Sequence, residues 1–156
     1  MTRRNTVAAI AALAASLAQP AVALSCRAPS VEGSYADAAE AEAVYSVVLG
    51  RFEFEPVPPR ADGEAGADMA VPAIFDGRLL GPDGFVTQMR EPLILQIDCA
   101  SSWCGEIEPR TEVLAFVEQS ADGLSVEIGP CPQWVFANPT QTQIDTVTAC
   151  TTEGCE

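Results

Sequence analysis

From Ala43 to Pro56 the chain reads AVYSVVLGRFEFEP. Apolar positions, many of them β-branched, crowd its first half, and in the second half Arg51, Glu53 and Glu55 alternate with Phe52 and Phe54. A continuous apolar run has no polar face to turn toward water, whereas strict alternation sends one set of side chains inward and the other outward. The stretch is therefore predicted to be one long strand, buried on both faces at first and on one face later. Gly50 in its middle predicts a bend or bulge, because a strand interior otherwise has little use for glycine.

Similar runs follow. AVPAIFDGRLL (70–80) and EPLILQIDC (91–99) read as strands, with GPDG at Gly81 to Gly84 as the turn signal between them. TEVLAFVEQ (111–119) and GLSVEIG (123–129) form a hairpin around SADG at Ser120 to Gly123. YADAAEAE, from Tyr35 to Glu42, is rich in Ala and Glu and follows Ser34, so a short helix with Ser34 as its N-cap is predicted. Leu24 to Gly33 reads as extended chain. The segment from Pro56 to Asp68, PVPPRADGEAGAD, holds nothing that could be buried and is predicted to be a long loop. Pro130, Pro132 and Pro139 interrupt regular pairing, and TQTQIDTVTA (140–149) fits either a helix or an irregular cap.

Five strands, a bent first one, and one or two short helices describe a mainly β fold. The expected form is a five-stranded Greek-key barrel of the oligonucleotide/oligosaccharide-binding (OB) type. An immunoglobulin-like sandwich needs about seven strands, more than the pattern offers.

The N-terminal pattern changes the domain picture. Met1 to Ala23 carries Arg3 and Arg4, an apolar run from Val7 to Leu17, then Pro20 and the small residues Ala21-Val22-Ala23. That is the anatomy of a secretory signal peptide, and the run is shorter than the roughly 20 residues a membrane span needs. Residues 1–23 are thus expected to be removed, leaving 24–156 as a single exported domain, periplasmic or extracellular, with no membrane span. The competing reading takes Ala23-Leu24-Ser25-Cys26 as a lipoprotein cleavage box and Cys26 as a lipid anchor. Acylating Cys26 would leave an odd number of thiols.

Charge and composition narrow the chemistry. Two of the eight basic residues and none of the 22 acidic ones precede Leu24, so the chain from Leu24 carries a net charge of −16. Such a surface repels nucleic acid and anionic lipid, so neither is an expected partner. Every basic residue is arginine, and there is no histidine. Without an imidazole, a serine or cysteine nucleophile lacks its usual base and the common zinc hydrolase ligand sets cannot be assembled. No enzyme activity and no cofactor are expected. DGEAGAD (62–68) lacks the regular oxygen spacing of a calcium loop. Arg51 and Arg78 are expected to pair with surface carboxylates.

The cysteines stand at 26, 99, 104, 131, 150 and 155. An even set in a short exported chain reads as a disulfide framework, and the close pairs lack the Cys-x-x-Cys spacing of zinc knuckles or redox motifs. Six cysteines allow fifteen connectivities. Short closed loops favour Cys99 with Cys104 and Cys150 with Cys155, leaving Cys26 for Cys131.

An N-terminal cysteine segment, a strand ending in VVLGRF, the Cys104-Gly105 pair, and the hairpin EVLAFVEQSADGLSVEIGPC together resemble the inhibitory domain of tissue inhibitors of metalloproteinases and, more broadly, the netrin-like module. The resemblance spans roughly Leu24 to Trp134 and implies the same five-stranded barrel. Family inhibitors begin with Cys-x-Cys, whose first residue chelates the protease zinc through its amine and carbonyl. Here Leu24-Ser25-Cys26 aligns with that motif, leucine standing at the chelating position. The resemblance implies a Cys26–Cys131 bond, and it sets Cys104 on the cysteine that would have held the missing first one, with Cys99 replacing that partner. An untethered terminus should chelate less well, because such binding depends on preorganisation.

The expected function is therefore that of an exported, non-catalytic binding or protein-interaction module, its partner another extracytoplasmic protein. The alternative is a metalloproteinase inhibitor acting through its mature N-terminus. The expected contact surface is a rim formed by Leu24, Ser25, Cys26 and Arg27 with the neighbouring Ser101, Ser102 and Trp103. Trp103 and Trp134 are each expected to shield a disulfide or close the barrel end.

Overall fold

The computed structural model describes residues 26–57 and 66–155. The fold is mainly β: helix α1 (Val31–Glu40), strands β1 (Val44–Glu53), β2 (Met69–Gly81), β3 (Gly84–Ile97), β4 (Cys99–Ala100), β5 (Trp103–Cys104), β6 (Glu112–Ser120), β7 (Gly123–Ile128) and β8 (Val135–Ala137), and helix α2 (Gln141–Glu153). No helix among the described residues is long and apolar enough to cross a membrane.

The five long strands are those expected from the hydrophobic pattern, with one boundary far off. β3 starts at Gly84, seven residues before the expected Glu91, because the turn at Pro82-Asp83 zips the polar arm Thr87-Gln88 against Leu79 and Arg78. β1 runs antiparallel to β2, from Val48↔Leu79 to Glu53↔Ile74, and antiparallel to β6, from Val44↔Gln119 to Arg51↔Glu112. β2 pairs with β3, β6 with β7, and β3 lies parallel to β7 from Ile94↔Ser125 to Ile97↔Ile128. Pro72 lies beyond the last β2 residue paired with β1, and Pro92 precedes the first β3 residue paired with β7. Each proline thus occupies a stretch whose far edge has no partner strand in these ladders, where its missing N–H costs no hydrogen bond.

Of the bend or bulge expected at Gly50, the bulge is absent. The register passes through it without a shift, and the irregularity in β2 lies between Leu79 and Gly81 instead. Glycine is required at position 50 for close approach: a Cβ there would lie 2.6 Å from Gly77 Cα and 2.7 Å from Phe75 Cζ. The facing glycines leave room for the Phe75 ring.

The VLAFV run of β6 is buried from Val113 to Val117 because the strand has a core on each side. Val113, Ala115 and Val117 join Val48, Phe52, Phe75, Leu95 and Val126 in one cluster. Leu114 and Phe116 point the other way, to Val31 of α1, Leu49, Phe136 of β8 and Val147 of α2. Fully burying a side chain of this size contributes about 1.5–3 kcal/mol.

The helix at the front begins earlier than expected. Ser30, not Ser34, is the N-cap, its hydroxyl accepting from the Gly33 N–H at 3.1 Å. Ser34 is buried inside the helix and donates to the Gln133 carbonyl. Gly33 in the first turn is a poor helix former and hid the true start; Val31, anchored in the second core, outweighs it. At the other end Thr140 and Gln143 form a reciprocal capping box, so the ambiguous segment is a helix. β8 fits between Pro132 and Pro139, where no strand was expected, by pairing with the outer edge of β6.

Candidate interaction surface

Three disulfides link Cys26 to Cys131, Cys99 to Cys104 and Cys150 to Cys155. The first two belong to one end of the fold. β3 and β7 finish side by side at Ile97 and Ile128, and the Asp98 N–H donates to the Ile128 carbonyl at 3.1 Å. Two residues past Ile97 the chain enters the β4–β5 hairpin, with Cys99 opposite Cys104 and Ala100 opposite Trp103. Three residues past Ile128 it reaches Cys131 and, through the disulfide, Cys26.

Backbone contacts fix this end closely. The Gly105 N–H donates to the Asp98 carbonyl at 2.9 Å, and a Cβ at Gly105 would come within 2.9 Å of Ile128 Cγ2 and overlap the Ile128 carbonyl group. From the long loop, the Asp68 carboxylate accepts from the Cys99 N–H at 2.9 Å, and the Gly66 N–H donates to the Ser101 carbonyl at 2.6 Å. Ser101 itself lies in the left-handed region, φ 60°, as a two-residue turn of this tightness demands.

Of the expected rim, Leu24 and Ser25 lie outside the described residues, as does most of the DGEAGAD segment. Cys26, Arg27, Ser101, Ser102 and Trp103 are all exposed except for their covalent and backbone ties. The two tryptophans separate. Trp103 is 66% exposed and so does not close an end of the fold, one of the two roles expected of it, because it sits beside a two-residue turn; it neighbours Cys104 of the Cys99–Cys104 disulfide. Trp134 covers the outer face of β1 and β6 instead, stacked on Tyr45 with ring centroids 4.7 Å apart and tilted against Phe116 at 6.0 Å.

Beside the tether, a cleft of about 230 Å³ is lined by Arg27, Ser30, Gly33, Asp37 and Gln133. Gln133 Nε2 donates to the Asp37 carboxylate at 2.9 Å, which ties α1 to the segment after Cys131. Elsewhere, an open groove of about 440 Å³ runs over the outer faces of β2 and β3, between Pro72, Ile74, Pro92, Ile94 and Leu124. The hydrophobic pattern carried a signal for it: in AVPAIF and PLIL the positions on both sides of the strand are apolar.

The arginines also differ from expectation. Neither Arg51 nor Arg78 makes an ion pair with a described residue; Arg90 does, bridging Asp76 at 2.8 Å and Glu53 at 3.0 Å. Arg90 lies opposite Asp76 on β2 and reaches diagonally to Glu53 on β1, two residues along from the Arg51 that faces Asp76. All three of these side chains are more than 40% exposed, so the bridge contributes little to stability.

At the β7 end of the sheet, burial raises the Glu127 carboxyl above the ordinary carboxylate range, and the charges of Asp98 and Glu118 add to the effect. Burial, with Glu118 and Glu127, also raises the Tyr45 phenol. A carboxyl that holds its proton more tightly folded than unfolded costs stability as pH rises through and above that range. Glu127→Gln is therefore expected to raise the melting temperature at neutral pH and leave it unchanged at a pH where both side chains are neutral, which melts across the carboxyl titration range would measure.

Among the described residues no group of three or more acidic or cysteine side chains is placed to hold a metal ion. No family model, no curated protein and no solved structure matches the chain.

Proposed function

We propose that the chain is an exported, non-catalytic protein-interaction module built on a five-stranded barrel of OB type, closed in the order β1–β2–β3–β7–β6 and back to β1. The pairing of β1 with both β2 and β6, and the parallel contact of β3 with β7, support that closure. The observation that carries the functional reading is Trp103: an indole 66% exposed on a hairpin clamped by its own disulfide. A large, rigid aromatic surface held out in water loses little conformational freedom on binding and suits the centre of a protein contact. Cys26 and Arg27, on the same end, complete the surface, and the partner is another extracytoplasmic protein.

A photo-crosslinking residue at position 102, beside an intact Trp103, tests this in the host's extracytoplasmic extract. A single saturable adduct is expected, competed by unlabelled wild type and not by Trp103→Ala; absence of an adduct, or competition by both, would overturn the reading. The metalloproteinase-inhibitor alternative draws on the Cys26–Cys131 bond, which holds the chain two residues from Leu24 at the hairpin end. Slowing of a zinc endopeptidase by protein that starts at Leu24, lost on adding one residue before it, would decide for that alternative.

A further inference from the structure

Away from the rim, a cleft of about 260 Å³ opens over the stretch of β1 that is flanked by both β2 and β6, lined by Gly50, Gly77, Arg51, Arg78, Arg110 and Glu112 among others. Three of the six arginines that follow residue 23 thus gather at one place in a strongly acidic chain. The register explains the convergence. Arg51 stands between Asp76 on β2 and Glu112 on β6, and Arg78 lies two pairs along, opposite Leu49 and so on the same face. Arg110 arrives from the loop before β6, fixed by its backbone N–H on the Phe52 carbonyl at 2.9 Å.

All three arginines are exposed, and two features bear on what they can bind. None of the three guanidiniums makes an ion pair with a described residue, although carboxylates line the same cleft; two of those, Glu53 and Asp76, are already engaged by Arg90. Arg110 also holds a left-handed backbone, φ 62°, a conformation glycine adopts without strain and arginine does not. A strained backbone that carries a charged side chain to a cleft is a pattern found at binding sites.

We propose that this cleft binds an oxyanion group, a carboxylate, sulfate or phosphate carried by a small ligand, through Arg51, Arg78 and Arg110. The planar fork of a guanidinium matches two oxygens of such a group, and three forks on different elements fit one ligand better than three separate ones.

Inorganic phosphate, sulfate and citrate are titrated separately into the oxidised chain from Leu24, with melting temperature as the readout and sodium chloride at matched ionic strength as reference. The reference matters because any salt relieves the self-repulsion of so acidic a molecule. At least one probe is expected to raise the melting temperature saturably beyond chloride, and which one does identifies the oxyanion. Arg78→Gln and Arg110→Gly are each expected to weaken that binding by about tenfold, the loss of one charge-assisted contact. Arg110→Gly should do so without lowering the melting temperature in chloride, since it relieves the strained backbone. Probes that act no more strongly than chloride, or an unchanged response in both variants, would overturn the assignment.

Discussion

Replacing Cys26 and Cys131 together by serine is expected to lower the unfolding free energy by about 5 kcal/mol in the chain-entropy treatment of cross-links. The bond spans 105 residues, so its removal frees most of the unfolded chain. The same treatment gives only about 2 kcal/mol for a short loop such as Cys99–Cys104, whose partners are five residues apart. Domains of this size are stable by about 5–15 kcal/mol, so the first loss approaches the whole and the second does not. Urea unfolding of the oxidised wild type beside the two double variants checks the order. The Cys26/Cys131 variant should also show the steeper denaturant dependence, because its unfolded state exposes more surface. Equal losses from the two pairs would contradict the tethering role given to Cys26.

Gly50→Ala is expected to cost about 3 kcal/mol, the upper part of the usual range for overpacking. In an open strand the same change is mildly favourable, since glycine has more freedom to lose on folding; here the added carbon would meet Gly77 Cα and the Phe75 ring, both too close and neither free to retreat. Gly81→Ala is the control: its nearest neighbour beyond the adjacent residues is the Gly84 carbonyl at 3.9 Å, and a change within about 0.5 kcal/mol is expected. Thermal melts of the two variants decide whether β1 and β2 approach as closely as the facing glycines require.

The strands were legible because their signal is local. VLAFV can only be a strand with apolar surroundings on both sides, and β6 has them. What supplies the second side was harder to read. α1 contributes Val31 from a first turn weakened by Gly33, and β8 is three residues caught between prolines. Each is held by the core it helps to build, so neither announces itself in sequence.

The rim was legible in part. The cysteine spacing pointed to the Cys99–Cys104 bond and the tether, though not to the hairpin that carries the former, and the parallel β3–β7 pair brings them to one end. The fates of Trp103 and Trp134 were not, since both follow small or polar residues near a cysteine and only the outer face of β1 and β6 distinguishes them. The arginine cleft escaped for a related reason. Arg51 and Arg78 sit on readable strands, but Arg110 joins them through a loop whose course depends on the β1–β6 register and on a left-handed residue.

The proposed function requires that the chain be exported and oxidised, with its N-terminal segment tied through Cys26 to Cys131 just past the end of β7. Peptide mapping without reduction, on protein recovered from the host's own extracytoplasmic fraction, tests this most directly. A peptide starting at Leu24 and joined through Cys26 to the Cys131 peptide is the predicted result; reduced thiols, or a fatty-acylated Cys26, would contradict it.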